Sequence, residues 1–386
     1  MYNFEYQNPV KIIFGKGQIA RLSEQIKGYE KILMVYGGGS IFNNGIYDQV
    51  TAALNGAQWI EFGGVEVNPT YETCMEAIKI VKREKIDFLL AVGGGSVLDA
   101  VKFIAAGALY ENGDPWDFLQ FRHTINVEKA LPLGSVLTLP ATGSEMNGNS
   151  VISKTATQEK MAFGSSFVMP KFSILDPVVV FSLPDRQVAN GVVDAFVHVV
   201  EQYLTFPVNS PLQDRQAEAV LLTLIEEGPK ILANRTDYEA AANFMWSATV
   251  ALNGALAVGV PQDWATHQIG HELTAYHAID HARTLAIVLP GMMDIRRRQK
   301  EAKLLQFGER IWNITTETID ERIDETIAHT IAFFEKMGIP TRLGDYQVSV
   351  VTIDKIEQRF KQRGSQFGET KEIDAAITRQ ILEHRL

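Results

Sequence analysis

The 386-residue chain has one cysteine, Cys74. A single thiol closes no internal disulfide, which excludes a disulfide-stapled secreted framework and fits a reducing compartment. Positive charge is short as well. Thirty-six Lys and Arg stand against 46 Asp and Glu, a net charge of −10, and nucleic acid or an anionic membrane face would need the opposite sign. No apolar run approaches the roughly 20 residues that cross a bilayer. The opening "MYNFEYQNPVKIIFGKG" lacks the basic-then-apolar order of a signal peptide. A cytoplasmic protein with no nucleic-acid and no membrane partner is expected.

What is present is ordinary globular composition, 46% hydrophobic and 21% charged. The length exceeds one ordinary core and points to two domains. The first half alternates short β-rich runs, 10–14, 31–36, 57–62, 87–92 and 135–139, with helix-length segments such as 70–85. Strand, helix, strand at this spacing predicts a parallel sheet covered on both faces. After Pro184 and Asp185 the rhythm becomes helical, through 212–233, 239–258, 264–277, 301–312, 319–337 and 353–362. The expected architecture is an α/β dinucleotide-binding domain over 1–184 followed by an all-α metal-binding domain over 185–386, with a cleft between them.

Two glycine turns carry the first chemistry. In "DFLLAVGGGSVLDAVKF" a β-run meets Gly93, Gly94, Gly95 and Ser96, and a helix follows with Asp99 expected in its first turn. Glycines admit a phosphate close to the backbone, and the N–H groups of a helix start attract its charge. The pattern is neither G-x-G-x-x-G nor a Walker loop, and alone it fits tight packing equally well. A second turn, Gly37, Gly38, Gly39 and Ser40, follows another strand; two such turns on neighbouring strands could hold the two ends of one dinucleotide. Where NAD-binding chains place a carboxylate for the ribose 2′-hydroxyl, this chain has Gly37, which favours NADP. The loop "LTLPATGSEMNGNSVISK" adds Thr138, Thr142, Ser144 and Asn147 as donors, a run that a capped turn would also explain. Lys160 on its own reads as a solvated surface lysine.

The second chemistry is in the helical half. Asp194 and His198 lie four apart in "NGVVDAFVHVVEQ", on one face of a helix that is apolar all round. A buried carboxylate needs a partner. An internal Asp–His hydrogen bond would serve. So would a metal, because "PQDWATHQIGHELTAYHAIDH" concentrates His267, His271, His277 and His281 in 21 residues. Spacing leaves open which of the four are ligands. A zinc hydrolase needs H-E-x-x-H; neither "HQIGH" nor "HELTA" supplies it. Trp264, Phe196 and Tyr276 are candidates for an apolar pocket or for plain core.

With these motifs, and with "NPVKIIFGKGQI", "AVGGGSVLDAVKF", "LTLPATGSEMN", "LDP", "QVANGVVDAFVHVVEQY", "GVPQDWATHQIGHELTAYHAIDHARTLAIVLP" and "LLQFGERIWNI", the chain resembles the iron-containing alcohol dehydrogenase family almost end to end, especially its NADPH-dependent butanol dehydrogenase and aldehyde reductase branch. The resemblance implies Asp194, His198, His267 and His281 as ligands of one divalent metal, Fe²⁺ or Zn²⁺. It places His271 beside the nicotinamide as the catalytic candidate and leaves His277 as a pocket residue. It implies NADP(H) contacts from Gly94, Gly95, Ser96 and Asp99, from Thr138, Thr142 and Asn147, and from Asn68 and Lys160. It further implies reversible reduction of short- to medium-chain aldehydes to alcohols, and a homodimer. The rival, a dehydroquinate synthase-like cyclase or lyase, needs basic residues for a phosphorylated substrate, and Arg283 is the main candidate for that.

Overall fold

The computed structural model describes residues 1–121, 124–316 and 318–386. Two compact units emerge, and each is a fold in its own right.

The α/β unit comprises residues 7–184 and 234–253. Its strands are β1 (Lys11–Phe14), β2 (Lys31–Tyr36), β3 (Gln58–Phe62), β4 (Phe88–Gly94), β5 (Leu133–Leu139), β6 (Asn149–Lys154), β7 (Glu159–Gly164) and β8 (Phe172–Leu175). Six form a parallel sheet in the order β1-β8-β5-β4-β2-β3, and β6 and β7 pair antiparallel as a separate hairpin. In β4, Phe88 through Val92 have no exposed surface, as expected of a strand covered on both faces. The helix Tyr71–Glu84 follows β3, and Thr70 caps it by accepting the Thr73 N–H. The helix Gly95–Gly107 follows β4 directly and has no side-chain cap.

Expectation and structure part in several places. The five strands read from the sequence are present within a residue or two, but the β6–β7 hairpin and β8 are not among them; β8 sits between β1 and β5, in register Ser173↔Ser135 and Ile13↔Ile174. The helix expected over 239–258 ends at Ala251 and belongs to the α/β unit rather than to a domain spanning 185–386. Contacts tie it there: Thr249 donates to the buried Glu145 carboxylate, and Asn8 and Asn147 donate to the carbonyls of Asn253 and Leu252. Residues 1–6 in turn belong to the helical unit, where the Tyr2 N–H bonds the Gly259 carbonyl at 2.9 Å.

The helical unit comprises residues 1–6, 185–233 and 254–386. Its central helix is Asp185–Tyr203, in which every residue from Val188 onward is buried. Glycine at 228 lets the Pro211–Ala233 helix cross it closely, since a Cβ there would lie 2.8 Å from Val192 Cγ1. The helices Ala265–His277 and His281–Ile295 pack similarly, with Gly270 against Thr284. The second of these was not anticipated, because Pro290 inside it reads as a breaker. No helix among the described residues is long and apolar enough to cross a membrane.

Candidate active site

In the helical unit, one ligand atom each from Asp194, His267 and His281 falls within 4.8 Å of the others. Asp194 comes from the central helix, His267 from the first turn of Ala265–His277, and His281 from the first position of the helix after it. The close approach at Gly270 brings the last two together. His198 lies outside that tight trio, yet its Nε2 is 3.9 Å from Asp194 Oδ1, and His281 Nε2 is 3.7 Å from the same oxygen. These separations are too long for hydrogen bonds. They suit donors that share one cation at roughly 2.0–2.2 Å each. An Asp194–His198 hydrogen bond, the plainer reading of that pair, is therefore not what the structure contains.

The electrostatics of His198 agree with a neutral, lone-pair-bearing imidazole. Burial pushes His198 down to about 4, against the pull of Asp194, and its Nδ1 is buried without a hydrogen-bond partner among the described residues. The His198 and His267 rings stack at 4.8 Å, 18° from parallel. The Trp264 indole meets His267 edge-on at 5.3 Å, from a backbone in the left-handed region (φ 65°) that a bulky residue seldom adopts. His271 is buried, with its ring 5.2 Å from that of His281. His277 is exposed at the helix end and bonds Thr352, so it is not gathered with the others. Phe196 packs in the core on Phe307, Phe333 and Phe334, and Tyr276 carries Arg359 over its ring. Arg283 lies 3.7 Å from Asp280 in an ion pair.

In the α/β unit the two glycine turns come to adjacent strand ends, for β2 and β4 pair with Tyr36 opposite Val92. The chain runs from β2 outward to β3 on one side, and through β4, β5 and β8 on the other. That reversal of direction is where open α/β sheets bind ligands. Gly37 has room for a Cβ, 3.4 Å from the Val65 carbonyl oxygen, whereas Gly39 has φ 92° and precedes the turn Ser40–Phe42. Gly93 and Gly95 have no room: added Cβ atoms would sit 2.6 Å from Val97 Cβ and from Thr142 Cγ2. Ser96 donates to the Val67 carbonyl, and Lys160 on β7 donates to Asn68 Oδ1 at 3.0 Å, so these three share one rim. Thr138 is buried at the end of β5.

Asp99 and Asn147 are both engaged by the protein itself, and the position expected for Asp99 needs correcting. Asp99 lies beyond the first turn of its helix, which contains no acidic residue. Its carboxylate instead accepts from Ser144 (2.7 Å) and from the Val151 N–H (3.0 Å). Asn147 donates to the Gly143 and Leu252 carbonyls and accepts from Lys102 and the Asn149 N–H. All four hydrogen-bonding positions of its amide are thereby used. Both residues build the floor beneath the turn.

Residues 9–177 match the family model described as iron-containing alcohol dehydrogenase, and residues 188–384 match the C-terminal model of the Fe-containing alcohol dehydrogenase family. The chain belongs to the iron-containing alcohol dehydrogenase family. It is 55% identical over 385 residues to the NADPH-dependent aldehyde reductase YqhD of Escherichia coli, with 99% of each chain covered. It is 44% identical to the probable NADH-dependent butanol dehydrogenase 1 of Bacillus subtilis over the whole of both chains. A crystal structure of E. coli YqhD superposes with a TM-score of 0.98 at 54% identity, covering 100% of this chain and 99% of that one.

Within this family member, sequence reasoning passed over several buried or half-buried charges. Lys102 has no exposed surface and donates to Ser144, Asn147 and the Asn149 carbonyl; burial pushes it down to about 8. Glu201 bonds His267 Nδ1 and the Thr266 N–H; burial and then Asp263 push it well up. Asp280, just before His281, accepts from Arg186 and Asn190 at 2.7 Å each. For Lys102 the available signal was a cation three residues after Asp99 in an otherwise apolar helix. The other two are marked by nothing in their neighbourhood.

Proposed function

We propose that the protein is a metal-dependent, NADP(H)-dependent alcohol dehydrogenase that works as an aldehyde reductase, interconverting short- to medium-chain aldehydes and their alcohols. We place it in the cytoplasm as a homodimer. The observation that carries the reading is the convergence of a buried carboxylate and histidine nitrogens at cation-sharing distances. Asp194, His198, His267 and His281 would hold the metal, and one Asp with three His suits Fe²⁺ and Zn²⁺ alike. The uncapped start of the helix Gly95–Gly107 supports a pyrophosphate site at Gly94, Gly95 and Ser96. Thr138, Thr142, Asn68 and Lys160 surround that site. Gly37, Gly38, Gly39 and Ser40 would take the adenosine end and tolerate a 2′-phosphate.

Held by Asp194, His198, His267 and His281, a metal would supply Lewis acidity toward a carbonyl oxygen, and a reduced nicotinamide would supply the hydride, chemistry that no side chain here provides. The chain's own part is to hold, orient and move a proton. Asp194 supplies the anionic charge that retains a dication in a buried place. His271, beside His281, is the imidazole we assign to carrying the proton to the alcohol oxygen. No covalent bond to the protein is needed. The test follows absorbance at 340 nm with NADPH and butanal, with metal content measured in parallel. Chelation should abolish turnover and added Fe²⁺ or Zn²⁺ restore it. D194A and H267A should lose bound metal and at least ~10²-fold in kcat, the scale of losing an electrostatic stabiliser of a developing oxyanion. Full turnover by metal-free protein would refute the reading.

A further inference from the structure

We infer that Glu201 is a positioning residue for the metal centre: it fixes the ring tautomer of His267 so that Nε2 is the nitrogen presented to the cation. The inference rests on the metal-dependent reading above. Asp194, His198 and Glu201 fall at i, i+4 and i+7 of one helix, a single face. That face meets the start of the helix Ala265–His277, where Trp264 at the cap position has φ 65° and makes no cap bond, and the Ala265 N–H donates to Asp263 Oδ1 at 3.0 Å. Glu201 supplies a further acceptor from across the unit. Its Oε1 accepts the Thr266 N–H at 2.6 Å, and its Oε2 is paired with His267 Nδ1. The Asp263 N–H also donates to the Glu201 carbonyl, at 2.9 Å.

In the inferred arrangement Oε1 accepts the Thr266 N–H and Oε2 accepts from His267 Nδ1, the roles that an ionised Glu201 fills. With Nδ1 carrying the proton, the lone pair of the neutral ring lies on Nε2. A carboxylate behind a metal-bound histidine also raises its basicity and restrains ring rotation. The segments on either side are also tied together. Lys300, buried, bonds Asp263 Oδ2 (2.6 Å), the Leu204 carbonyl (2.6 Å) and Glu369 (2.8 Å). It thereby pins the end of the helix bearing Asp194 and His198 to the segment that enters the helix bearing His267. A glutamine at 201 has one acceptor and one donor group. Whichever way it turns, it either faces the Thr266 N–H with an N–H or pushes the proton of His267 onto Nε2.

The experiment uses the full-length protein loaded with Co²⁺, whose visible spectrum reports the ligand set, and measures affinity by chelator competition for wild type, E201Q, E201A and the surface variant E301Q. Urea unfolding of the metal-free forms is measured alongside. E201Q and E201A should weaken Co²⁺ binding about 10–100-fold and alter the spectrum, with E301Q unchanged. The loss should exceed anything explained by metal-free stability. Wild-type affinity and spectrum in E201Q would overturn the inference, leaving Glu201 as a helix cap only; if E201A does not fold, E201Q decides. A wild-type protein that binds no Co²⁺ would instead overturn the metal-dependent reading itself, a distinguishable result.

Discussion

Replacing Gly95 by alanine tests whether the second glycine turn is set by packing. The φ of Gly95 lies outside the left-handed region, so alanine meets no backbone strain, and in a helix it is favoured over glycine by up to about 1 kcal/mol. Against this, the new methyl would overlap Thr142 Oγ1 and lie 2.6 Å from Cγ2 and 3.0 Å from Cβ. Threonine 142 is not free to turn away, because its Oγ1 accepts the Ser144 N–H at 3.2 Å. Overpacking of this kind costs about 1–3 kcal/mol, so G95A should be less stable despite its better helix propensity. T142A removes both nearest atoms and by itself should cost about 1 kcal/mol for the lost hydrogen bond. The double variant G95A/T142A should then be more stable than the sum of the single effects by ~1 kcal/mol or more, the range of coupling between touching residues. Urea unfolding measures all three, and NADPH titration separates packing from cofactor approach. In the double variant stability should return while NADPH affinity stays reduced. Additive stabilities would refute the packing argument, and full NADPH affinity in the double variant would remove Gly95 from the pyrophosphate site.

Two further outcomes are expected. Gly37 accepts a Cβ without strain, so G37D should fold normally. At about 1 kcal/mol per unit charge at 4 Å in water, the carboxylate should weaken NADPH by ~2 kcal/mol, roughly 30-fold, while NADH is spared. Steady-state KM values for both cofactors check this, and an unchanged ratio counts against placing the 2′-phosphate there. Lys102 is held at about 8 against an ordinary 10.5. Between those values the unfolded chain binds a proton that the folded chain lacks, so wild-type stability relative to K102M should rise by about 3 kcal/mol from pH 8 to pH 10.5 and be flat below pH 8. A flat difference across the whole range would show that Lys102 titrates normally.

How much of this was legible depends on whether the cause is local. Asp194 and His198 could be paired from spacing because a helix repeats every 3.6 residues, and the apolar run around them announced burial. The histidine-rich stretch was visible as composition, but its ligands could not be chosen by spacing: His267/His271 and His277/His281 are equivalent pairs on paper. Tertiary packing separates them, with Gly270 drawing His281 inward and the helix end leaving His277 exposed on Thr352. Glu201 looks like any glutamate near a helix end, because its partner is 66 residues away. Strand β8 escaped for a similar reason. Its four residues, "FSIL", are too few to show a period, and only the neighbours β1 and β5 make them a strand.

The glycines show why a motif can be right for a reason other than the one first given. Gly93 and Gly95 are required by contacts with Val97 and Thr142, so their presence alone says nothing of a phosphate. What remains after packing is accounted for is more specific. The helix after β4 has no side-chain cap and no acid in its first turn, and its start lies where the strand order reverses. The floor below it, Asp99, Lys102, Ser144 and Asn147, satisfies its own polar groups. A fully bonded floor spends nothing on a ligand, yet it holds the backbone above it still. Unsatisfied N–H groups on a rigid turn are what an anion needs. Tight packing and the proposed phosphate binding are therefore not rival readings of this turn, since the first would give the rigidity on which the second would depend.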